Sequence, residues 1–251
     1  MKAIILSAGR GKRLARASGE GPKCLVPVQG QPLIEWQLDS LARCGIPRAS
    51  VVVGYGADKV RRLLSARRRP IRVDSRFNPF YAVADNLVSC WMARDVMNED
   101  FVLINGDTLF EPAVLQRLLE APPAPVTLAV DRKASYDADD MKVQVAGDRL
   151  LAIGKDLAPA RVDAESIGMI RFRGAGVAWF RDALERAMQD PGALGSWYLS
   201  VIGAMAERGQ VQVQPVAGLD WCEVDYPLDL VRAGRMLGRW VDPGLSRAGS
   251  A

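Results

Sequence analysis

The 251-residue sequence has no histidine and only four cysteines. The cysteines are Cys24, Cys44, Cys90 and Cys222, which lie far apart and form no CxxC pair. Structural zinc sites use closely spaced cysteines together with histidine, and small disulfide-bonded folds use grouped cysteines. The composition therefore argues against a zinc centre and against a disulfide framework.

Long hydrophobic runs are also missing. No segment reaches 18 apolar residues, and the first apolar run, residues 2–6, gives way to glycine and charge. A membrane-spanning helix needs about 20 apolar residues, and a secretory signal needs a longer apolar core than this run provides. We therefore expect a cytoplasmic protein with no membrane partner.

The excess of positive charge is small. The net charge is +4 and the isoelectric point is about 9.0, and no nucleic-acid-binding signature accompanies them. We interpret this balance as that of an enzyme for anionic substrates, without a nucleic-acid partner. A hydrophobic fraction of 49% is ample for a buried core.

A basic, glycine-containing loop follows the first predicted strand. Its residues are Gly9, Arg10, Gly11, Lys12 and Arg13. Glycine lets the backbone approach a ligand, and the three cations add positive potential, so the loop predicts a cradle for an oligophosphate. Lys23 follows between Pro22 and Pro27 on an apolar segment, which indicates a role beyond solubility.

Two better-known phosphate loops do not fit this spacing. Leu6 stands where a Walker loop needs glycine, and Arg13 stands where it needs serine or threonine. Leu14 occupies the third glycine position of the dinucleotide fingerprint. The remaining alternative is a basic surface turn.

Strands and helices alternate through the first half of the chain. Predicted strands at 2–6, 50–53, 71–73, 101–104 and 126–130 are separated by predicted helices at 33–44, 57–67 and 112–119. This alternation predicts an α/β fold of the Rossmann-like, three-layer α/β/α type with a mostly parallel central sheet. Ligands of such sheets bind at the carboxyl ends of the strands, where the basic loop would lie.

Two further segments reach that edge. In the segment 78–97, Asp85 is a candidate N-cap, and Asn86 and Ser89 could meet a base or ribose, although a capped helix with a solvated first turn explains them equally well. Gly106 and Asp107 follow the apolar strand 101–104. A carboxylate there needs a cation, so Asp107 is a candidate magnesium ligand, with an Asx turn as the alternative.

The pattern changes after residue 131. The segments 141–145 and 149–153 flank a Gly-Asp turn, and 167–172 alternates as a strand, which predicts antiparallel pairs in an inserted acceptor-binding lobe. Helices are predicted at 176–188, with Trp179 facing inward, and at 197–208. Glu223 and Asp225 are two residues apart and would share one face of a strand, unless they only flank a helix N-terminus.

Three stretches carry a resemblance to a known superfamily. LSAGRGKRL followed by PKCLVPV resembles the signature of nucleotidyltransferases that join a nucleoside triphosphate to a phosphorylated sugar or alcohol. NPFYAVADNLVSCW and GLDWCEVDYPLDL are similar to stretches of bacterial phosphocholine cytidylyltransferases. The resemblance spans residues 2–230 and implies a GT-A-like nucleotidyltransferase fold, with 1–240 as one domain, about 131–220 as its acceptor-binding part, and 241–251 as a flexible tail.

The resemblance also implies roles for individual residues. CTP and a small phosphorylated or phosphonate acceptor would be the partners, Mg²⁺ the cofactor, and pyrophosphate a product. Asp107 and Asp225 would hold the metal, and Lys23 and Arg13 would complete the catalytic group. The nucleotide would bind Leu6, Ala8, Gly9, Gly11, Lys12, Arg13, Lys23, Asn86, Ser89 and Gly106. Lys142, Lys155 and Glu165 lie in stretches that resemble the acceptor half of these enzymes and would bind the acceptor, although either lysine alone could be a solvated strand residue. Tyr198, Trp221 and Glu223 are further acceptor-binding candidates because of their aromatic or acidic side chains.

The identity of the acceptor stays open at this point. Aromatic faces bind quaternary ammonium groups, and Tyr198, Trp221 and Glu223 fall in the acceptor half, so we expect a small cationic acceptor such as phosphocholine or an aminoalkylphosphonate. The alternatives are a sugar-1-phosphate nucleotidyltransferase using UTP, GTP or dTTP, and a regulatory module that only binds a nucleotide. The sequence leaves a homodimer open.

Overall fold

The first strand, β1 (Lys2–Ser7), is buried along its whole length. Ala3 and Ile5 pack into one hydrophobic cluster, whereas Ile4 and Leu6 pack into another. This alternation places β1 between two helical layers, because successive side chains of a strand point to opposite faces. The computed structural model describes residues 1–11, 13–14 and 21–241.

Twelve further strands follow β1 in the described residues. They are β2 (Pro27–Val28), β3 (Gln31–Pro32), β4 (Arg48–Val53), β5 (Arg72–Phe77), β6 (Phe101–Asn105), β7 (Thr108–Phe110), β8 (Val126–Asp131), β9 (Lys142–Ala146), β10 (Arg149–Gly154), β11 (Ala164–Phe172), β12 (Val211–Pro215) and β13 (Trp221–Glu223). Eight of them join β1 in a nine-stranded sheet with the order β5-β4-β1-β6-β11-β8-β12-β10-β9. Strands β10 and β11 run opposite to the other seven, so the sheet is mixed, as predicted.

Seven α-helices belong to the described residues. They are α1 (Leu33–Arg43), α2 (Ala57–Ala66), α3 (Asn86–Met92), α4 (Pro112–Glu120), α5 (Ala175–Ala187), α6 (Tyr198–Glu207) and α7 (Pro227–Val241). Short 3₁₀ turns occur at Lys23–Leu25, Arg94–Val96, Pro159–Arg161 and Pro191–Gly195. Helices α1, α2 and α4 bury their apolar sides in one face of the sheet, and α3, α5 and α6 in the other. The result is the three-layer α/β/α arrangement.

The sheet brings distant parts of the chain to one edge. Strands β1 and β6 are parallel neighbours, with Leu6 opposite Asn105, so the loops after them lie side by side. The Gly106 amide donates a hydrogen bond of 2.9 Å to the Leu6 carbonyl. A separate two-stranded ladder of β7 and β13 continues from this edge and carries the acidic C-terminal segment to it. The ladder therefore joins the two halves of the site.

One expectation on local structure is wrong, and another is met only in part. Trp179 is 37% exposed, because Val177, Phe180 and Leu184 form the buried side of α5 instead. Asp85 occupies the N-cap position of α3, but its side chain makes no capping hydrogen bond.

Over the part of the chain that the structure describes, no helix combines the length and the apolarity needed to cross a membrane. The predicted tail, residues 241–251, lies outside the described residues beyond Val241.

Candidate active site

Lys23 lies at the centre of the site. Its ammonium donates to Asp107 Oδ2 at 2.8 Å and also to Asp225 Oδ1. Burial alone would lower the pKa of Lys23, but the charges of Asp107 and Asp225 outweigh burial and raise it. Gly11 has a φ of +58°, and a Cβ there would lie 2.8 Å from Lys23 Cβ, so only glycine lets the basic loop pack against this lysine.

The two acids are positioned by backbone rather than by long side chains. Asp107 lies between β6 and β7, and the Val224 amide donates to the Asp107 carbonyl at 3.0 Å. Thr108 pairs with Glu223 in the β7–β13 ladder. Because this pairing fixes the position of Glu223, it also constrains Asp225, which follows two residues later. The structure thus brings together the predicted catalytic residues Lys23, Asp107 and Asp225.

Asp107 and Asp225, the acid pair, are suited to binding a divalent cation. Asp107 Oδ1 is buried and has no hydrogen-bond partner in the described residues, so it is free to coordinate a metal. Among the same residues, no group of three or more acidic, cysteine or histidine side chains is arranged to hold a metal. A cation here would take carboxylate oxygens from Asp107 and Asp225 and its other ligands from water or phosphate. Mg²⁺ commonly binds in this way.

A cavity of about 200 Å³ opens beside Lys23 at the ends of β1 and β6. Predicted nucleotide-binding residues that line it are Leu6, Ala8, Gly9, Lys23, Asn86, Ser89 and Gly106, and Asp107 lines it as well. Gly11 lies outside the cavity and acts through Lys23, and Lys12 lies outside the described residues. The structure therefore brings most of the predicted nucleotide-binding residues together around one cavity.

The polar side chains of α3 are already partly engaged. Ser89 Oγ accepts a hydrogen bond of 2.9 Å from Asn78 Nδ2, which leaves the hydroxyl hydrogen available to donate. Asn86 Oδ1 accepts from the Tyr198 amide at 3.0 Å, which leaves the Asn86 amide group to donate. Both residues can thus offer donors to a ligand.

A second cavity, of about 490 Å³, lies on the other side of the acid pair. Its acidic lining consists of Asp137, Asp139, Asp140, Glu165, Glu223, Asp225 and Asp229, and its basic lining consists of Lys133 and Arg232. Trp221 and Tyr226 also line it. Glu223 and Asp225 share this cavity, although β13 ends at Glu223 and the predicted strand does not extend to Asp225. The excess of carboxylates favours a positively charged ligand group.

Lys133 bridges two of these carboxylates. Its ammonium lies 2.7 Å from Asp140 Oδ2 and 2.9 Å from Glu165 Oε2. Burial raises the pKa of Glu165 to about 7, even though Lys133 opposes that shift. Burial and the charges of Asp107 and Asp225 raise the pKa of Glu223 to about 8. The cavity therefore holds more carboxyl groups than its own cations can neutralise.

The two aromatic residues that were candidates for acceptor binding lie in different environments. Trp221 lines the acidic cavity, with its indole N–H donating to Asp131 Oδ2 at 2.7 Å. Tyr198 is fully buried in the core, and its hydroxyl donates to Asn105 Oδ1 at 2.9 Å. The expectation that Tyr198 contacts the acceptor is wrong, because the first turn of α6 directs its ring towards the sheet. Tyr198 supports the Asn105–Asp107 loop from below.

The two candidate acceptor-binding lysines, Lys142 and Lys155, also differ in what their ammonium groups contact. Lys142 is buried, and its ammonium donates to the Lys155 carbonyl at 2.9 Å, so it supports the neighbouring backbone. The Lys155 ammonium is 3.5 Å from Asp139 Oδ1 and 4.7 Å from the centroid of the Trp197 ring. Arg13 Nη1 lies 3.4 Å from Asp139 Oδ2 and 3.8 Å from Asp225 Oδ2. Arg13 and Lys155 therefore meet at the same carboxylate.

Sequence reasoning missed Lys133, Asp137, Asp139, Asp140 and Tyr226. The acid-rich run at residues 137–140 was the available signal, but loop acids are common on protein surfaces and carry no periodicity that would mark them.

The fold is one that solved structures of nucleotidyl-transferring enzymes share. A solved structure of the inositol-1-phosphate CTP transferase from T. maritima has a TM-score of 0.79 to this chain at 23% identity, covering 95% of each chain. The family model for the MobA-like NTP transferase domain matches residues 3–193. The chain belongs to this family.

Curated relatives include cytidylyl-transferring enzymes. The CMP-5'-(3-aminopropyl)phosphonate synthase of Streptomyces rubellomurinus is 31% identical over 91% of this chain and 37% of its own length. The CTP:phosphoglutamine cytidylyltransferase of Campylobacter jejuni is 24% identical over 92% of this chain and 98% of its own length. The chain spans 37 to 53% of the length of the first three curated relatives that it matches. Nucleotidyltransferases of this kind usually use a divalent metal.

Proposed function

We propose that this chain transfers a cytidylyl group from CTP to a small phosphonate or phosphate acceptor that carries an amine, releasing pyrophosphate. The observation that carries the proposal is the position of Asp107, Lys23 and Asp225 between a small cavity at the strand ends and an acid-lined cavity. The names of the relatives, which include phosphonate and phosphate cytidylyltransferases, support the same chemistry.

In this proposal the nucleotide occupies the smaller cavity. Backbone groups of Leu6, Ala8 and Gly9 contact the base, and Ser89 and Asn86 offer donors to a pyrimidine, whose ring carries acceptor atoms. Gly106 lets the backbone approach closely, since a Cβ there would lie 2.5 Å from Ser7 Oγ. Lys12 and Arg13 bind the pyrophosphate that leaves.

The reaction needs no general base. An oxygen of the acceptor phosphonate attacks the α-phosphorus of CTP in line with the departing pyrophosphate, and this oxygen is already anionic at neutral pH. The absence of histidine is then no obstacle. Lys23, held at the acid pair, meets the charge that develops at the α-phosphate. Asp107 and Asp225 would hold Mg²⁺, and the bound ion would supply charge neutralisation at the phosphates.

The acceptor occupies the acidic cavity. Lys155 binds its phosphonate, and Glu165, Glu223 and Trp221 surround its amine. Carboxylates form strong charge-assisted hydrogen bonds with an ammonium that still carries N–H groups, whereas a quaternary ammonium offers none. We therefore place aminoalkylphosphonates ahead of phosphocholine. The acceptor-binding part is the segment 131–220 of one domain, 1–240.

The test is a turnover comparison with a fixed nucleotide. With CTP, we expect catalytic efficiency on 2-aminoethylphosphonate and 3-aminopropylphosphonate to exceed that on phosphocholine, and all three to exceed glucose-1-phosphate and inositol-1-phosphate. Pyrophosphate release is the readout, and the same acceptors with UTP, GTP and dTTP are the controls. A preference for either neutral polyol would overturn the acceptor assignment. Release with UTP, GTP or dTTP but not CTP would favour a sugar-1-phosphate enzyme.

A further inference from the structure

Asp139 connects parts of the chain that are far apart in sequence. It lies in the segment between β8 and β9, and its carboxylate is 3.4 Å from Arg13 Nη1 and 3.5 Å from Lys155 Nζ. The Tyr226 hydroxyl donates to the same carboxylate at 3.1 Å. One carboxylate therefore separates a cation of the N-terminal loop from a cation that follows β10.

Hydrogen bonds within the segment 137–140 hold Asp139 in position. Asp137 Oδ1 accepts a hydrogen bond of 3.0 Å from the Asp139 amide, and Asp140 Oδ2 accepts one of 2.7 Å from the Asp137 amide. Asp140 is in turn paired with Lys133. The Tyr226 hydroxyl and the charge of Arg13 hold the pKa of Asp139 below its usual range, so the carboxylate is charged.

The two cations at Asp139 are those that the proposed function assigns to phosphates. Arg13 binds the leaving pyrophosphate there, and Lys155 binds the acceptor phosphonate. We propose that Asp139 is an internal competitor for these groups: its carboxylate holds Arg13 and Lys155 in the empty site, and substrate phosphate displaces it. This inference rests on the proposed function and adds a residue that regulates its anion sites.

The competitor is weak enough to be displaced. The side chains of Asp139 and Arg13 are each 48% exposed, and exposed ion pairs contribute little to stability. A phosphonate or pyrophosphate carries more charge and more acceptor oxygens than one carboxylate. An acceptor whose amine also enters the acidic cavity gains a second contact, which a simple inorganic anion lacks. Asp139 would therefore disfavour inorganic anions and would help to expel pyrophosphate after transfer.

The experiment measures binding of inorganic pyrophosphate, with Mg²⁺ present, by calorimetry. Asp139→Asn removes the charge and keeps an oxygen that can accept from Tyr226. We expect pyrophosphate to bind about three- to tenfold more tightly to this variant than to the unaltered chain. Tyr226→Phe, which removes a hydrogen bond that positions the Asp139 carboxylate, should change affinity in the same direction by a smaller factor.

The matched control is Asp137→Asn. It removes the same charge from the same segment and the same cavity, but Asp137 contacts neither Arg13 nor Lys155. An equal gain in the two Asn variants would mean that only the summed charge matters and would overturn the proposal. Unchanged or weaker binding in Asp139→Asn would overturn it as well.

This measurement is independent of turnover. If no acceptor and nucleotide pair releases pyrophosphate, the proposed reaction fails, and the calorimetric comparison still decides whether Asp139 competes with anions. If turnover is found and the two Asn variants bind pyrophosphate alike, only the Asp139 proposal fails.

Discussion

The two cavities beside Lys23, which the proposed function assigns to the nucleotide and to the acceptor, are built in different ways. The walls of the nucleotide cavity are close-packed backbone: a Cβ on Gly54 would lie 2.5 Å from Tyr81 Cβ and 2.7 Å from the Ala8 carbonyl, and Gly106 has no more room. The acceptor cavity is lined by charged side chains, among them Lys133, which pairs with Asp140, and Asp139, which pairs with Lys155. The nucleotide half is fixed by sterics, whereas the acceptor half is set by electrostatics.

This difference explains how one fold can serve different acceptors. Exchanging charged side chains changes what a cavity attracts without moving the backbone, but a wall made of glycine contacts tolerates no added atom. The names of the relatives include compounds as different as aminopropylphosphonate and phosphoglutamine. We expect substitutions at the acid pair to be tolerated least, and substitutions in the acid-lined cavity to be tolerated most.

The largest expected effect is at the boundary of the two halves. Asp107→Asn and Asp225→Asn should each lower kcat by at least roughly a hundredfold, since each removes a charged metal ligand from a preorganised site. Steady-state rates at saturating Mg²⁺ and CTP measure this, and circular dichroism checks that the fold is kept. Near-normal rates for either variant would refute the two-acid assignment.

A comparison of two lysines sharpens the contrast between the halves. Lys23 and Lys133 each bridge two carboxylates, one pair at the reaction centre and one in the acceptor cavity. Lys23→Ala should lower kcat by about a hundredfold, because it removes a cation that meets charge in the transition state. Lys133→Ala should mainly change the KM for the acceptor. Loss of CTP affinity in Lys23→Ala, with kcat unchanged, would make Lys23 a binding residue only.

The steric character of the nucleotide half is tested by adding one methyl group. In Gly106→Ala the new Cβ would meet the Leu6 carbonyl and Ser7 Oγ, and we expect a loss of about 1 to 3 kcal/mol in unfolding free energy. Gly154→Ala, in the acceptor half, has nothing within 4 Å of its Cβ and should change stability by less than about 0.5 kcal/mol. Denaturant unfolding compares them. Equal unfolding free energies for the two variants would contradict the steric difference between the two halves.

The electrostatic character of the acceptor half predicts a pH dependence. Burial raises the pKa of Glu165 from 4.5 to about 7, so between these values the folded protein keeps a proton that the unfolded chain has lost. The contribution of Glu165 to stability therefore decreases as pH rises from 4.5 to 7. Glu165→Gln should make the slope of unfolding free energy at pH 6 less negative, by up to about 1.4 kcal/mol per pH unit. Parallel pH curves for the two proteins would contradict this.

The parallel half of the fold could be predicted from the sequence because its signals are local. Apolar runs such as β1 and β6 are long enough to identify as strands, and the carboxyl ends of parallel strands meet at one edge. This reasoning correctly placed Lys23 and Asp107 together. The position of Asp225 depended on a resemblance, because the strand that precedes it, β13, has only three residues and pairs outside the main sheet.

The rest depended on tertiary contacts that leave no periodic signal. Tyr198 was assigned to the acceptor by its neighbours in sequence, but the helical turn that follows Trp197 buries it. Asp139 gains its partners from residues more than ten positions away, at Arg13, Lys155 and Tyr226. Lys142 could not be separated from Lys155 by sequence, since both are lysines near strand ends and differ only in what their ammonium groups reach.

Strand β11 has a consequence for how the protein unfolds. It pairs with β6 of the nucleotide half on one side, with β8 on the other, and with β9 through Ala164 and Glu165. Neither half can lose this strand without breaking the hydrogen-bond ladder of the other. We therefore expect heat to melt both halves in one cooperative transition, and an acceptor segment exchanged between relatives to need β11 carried with it.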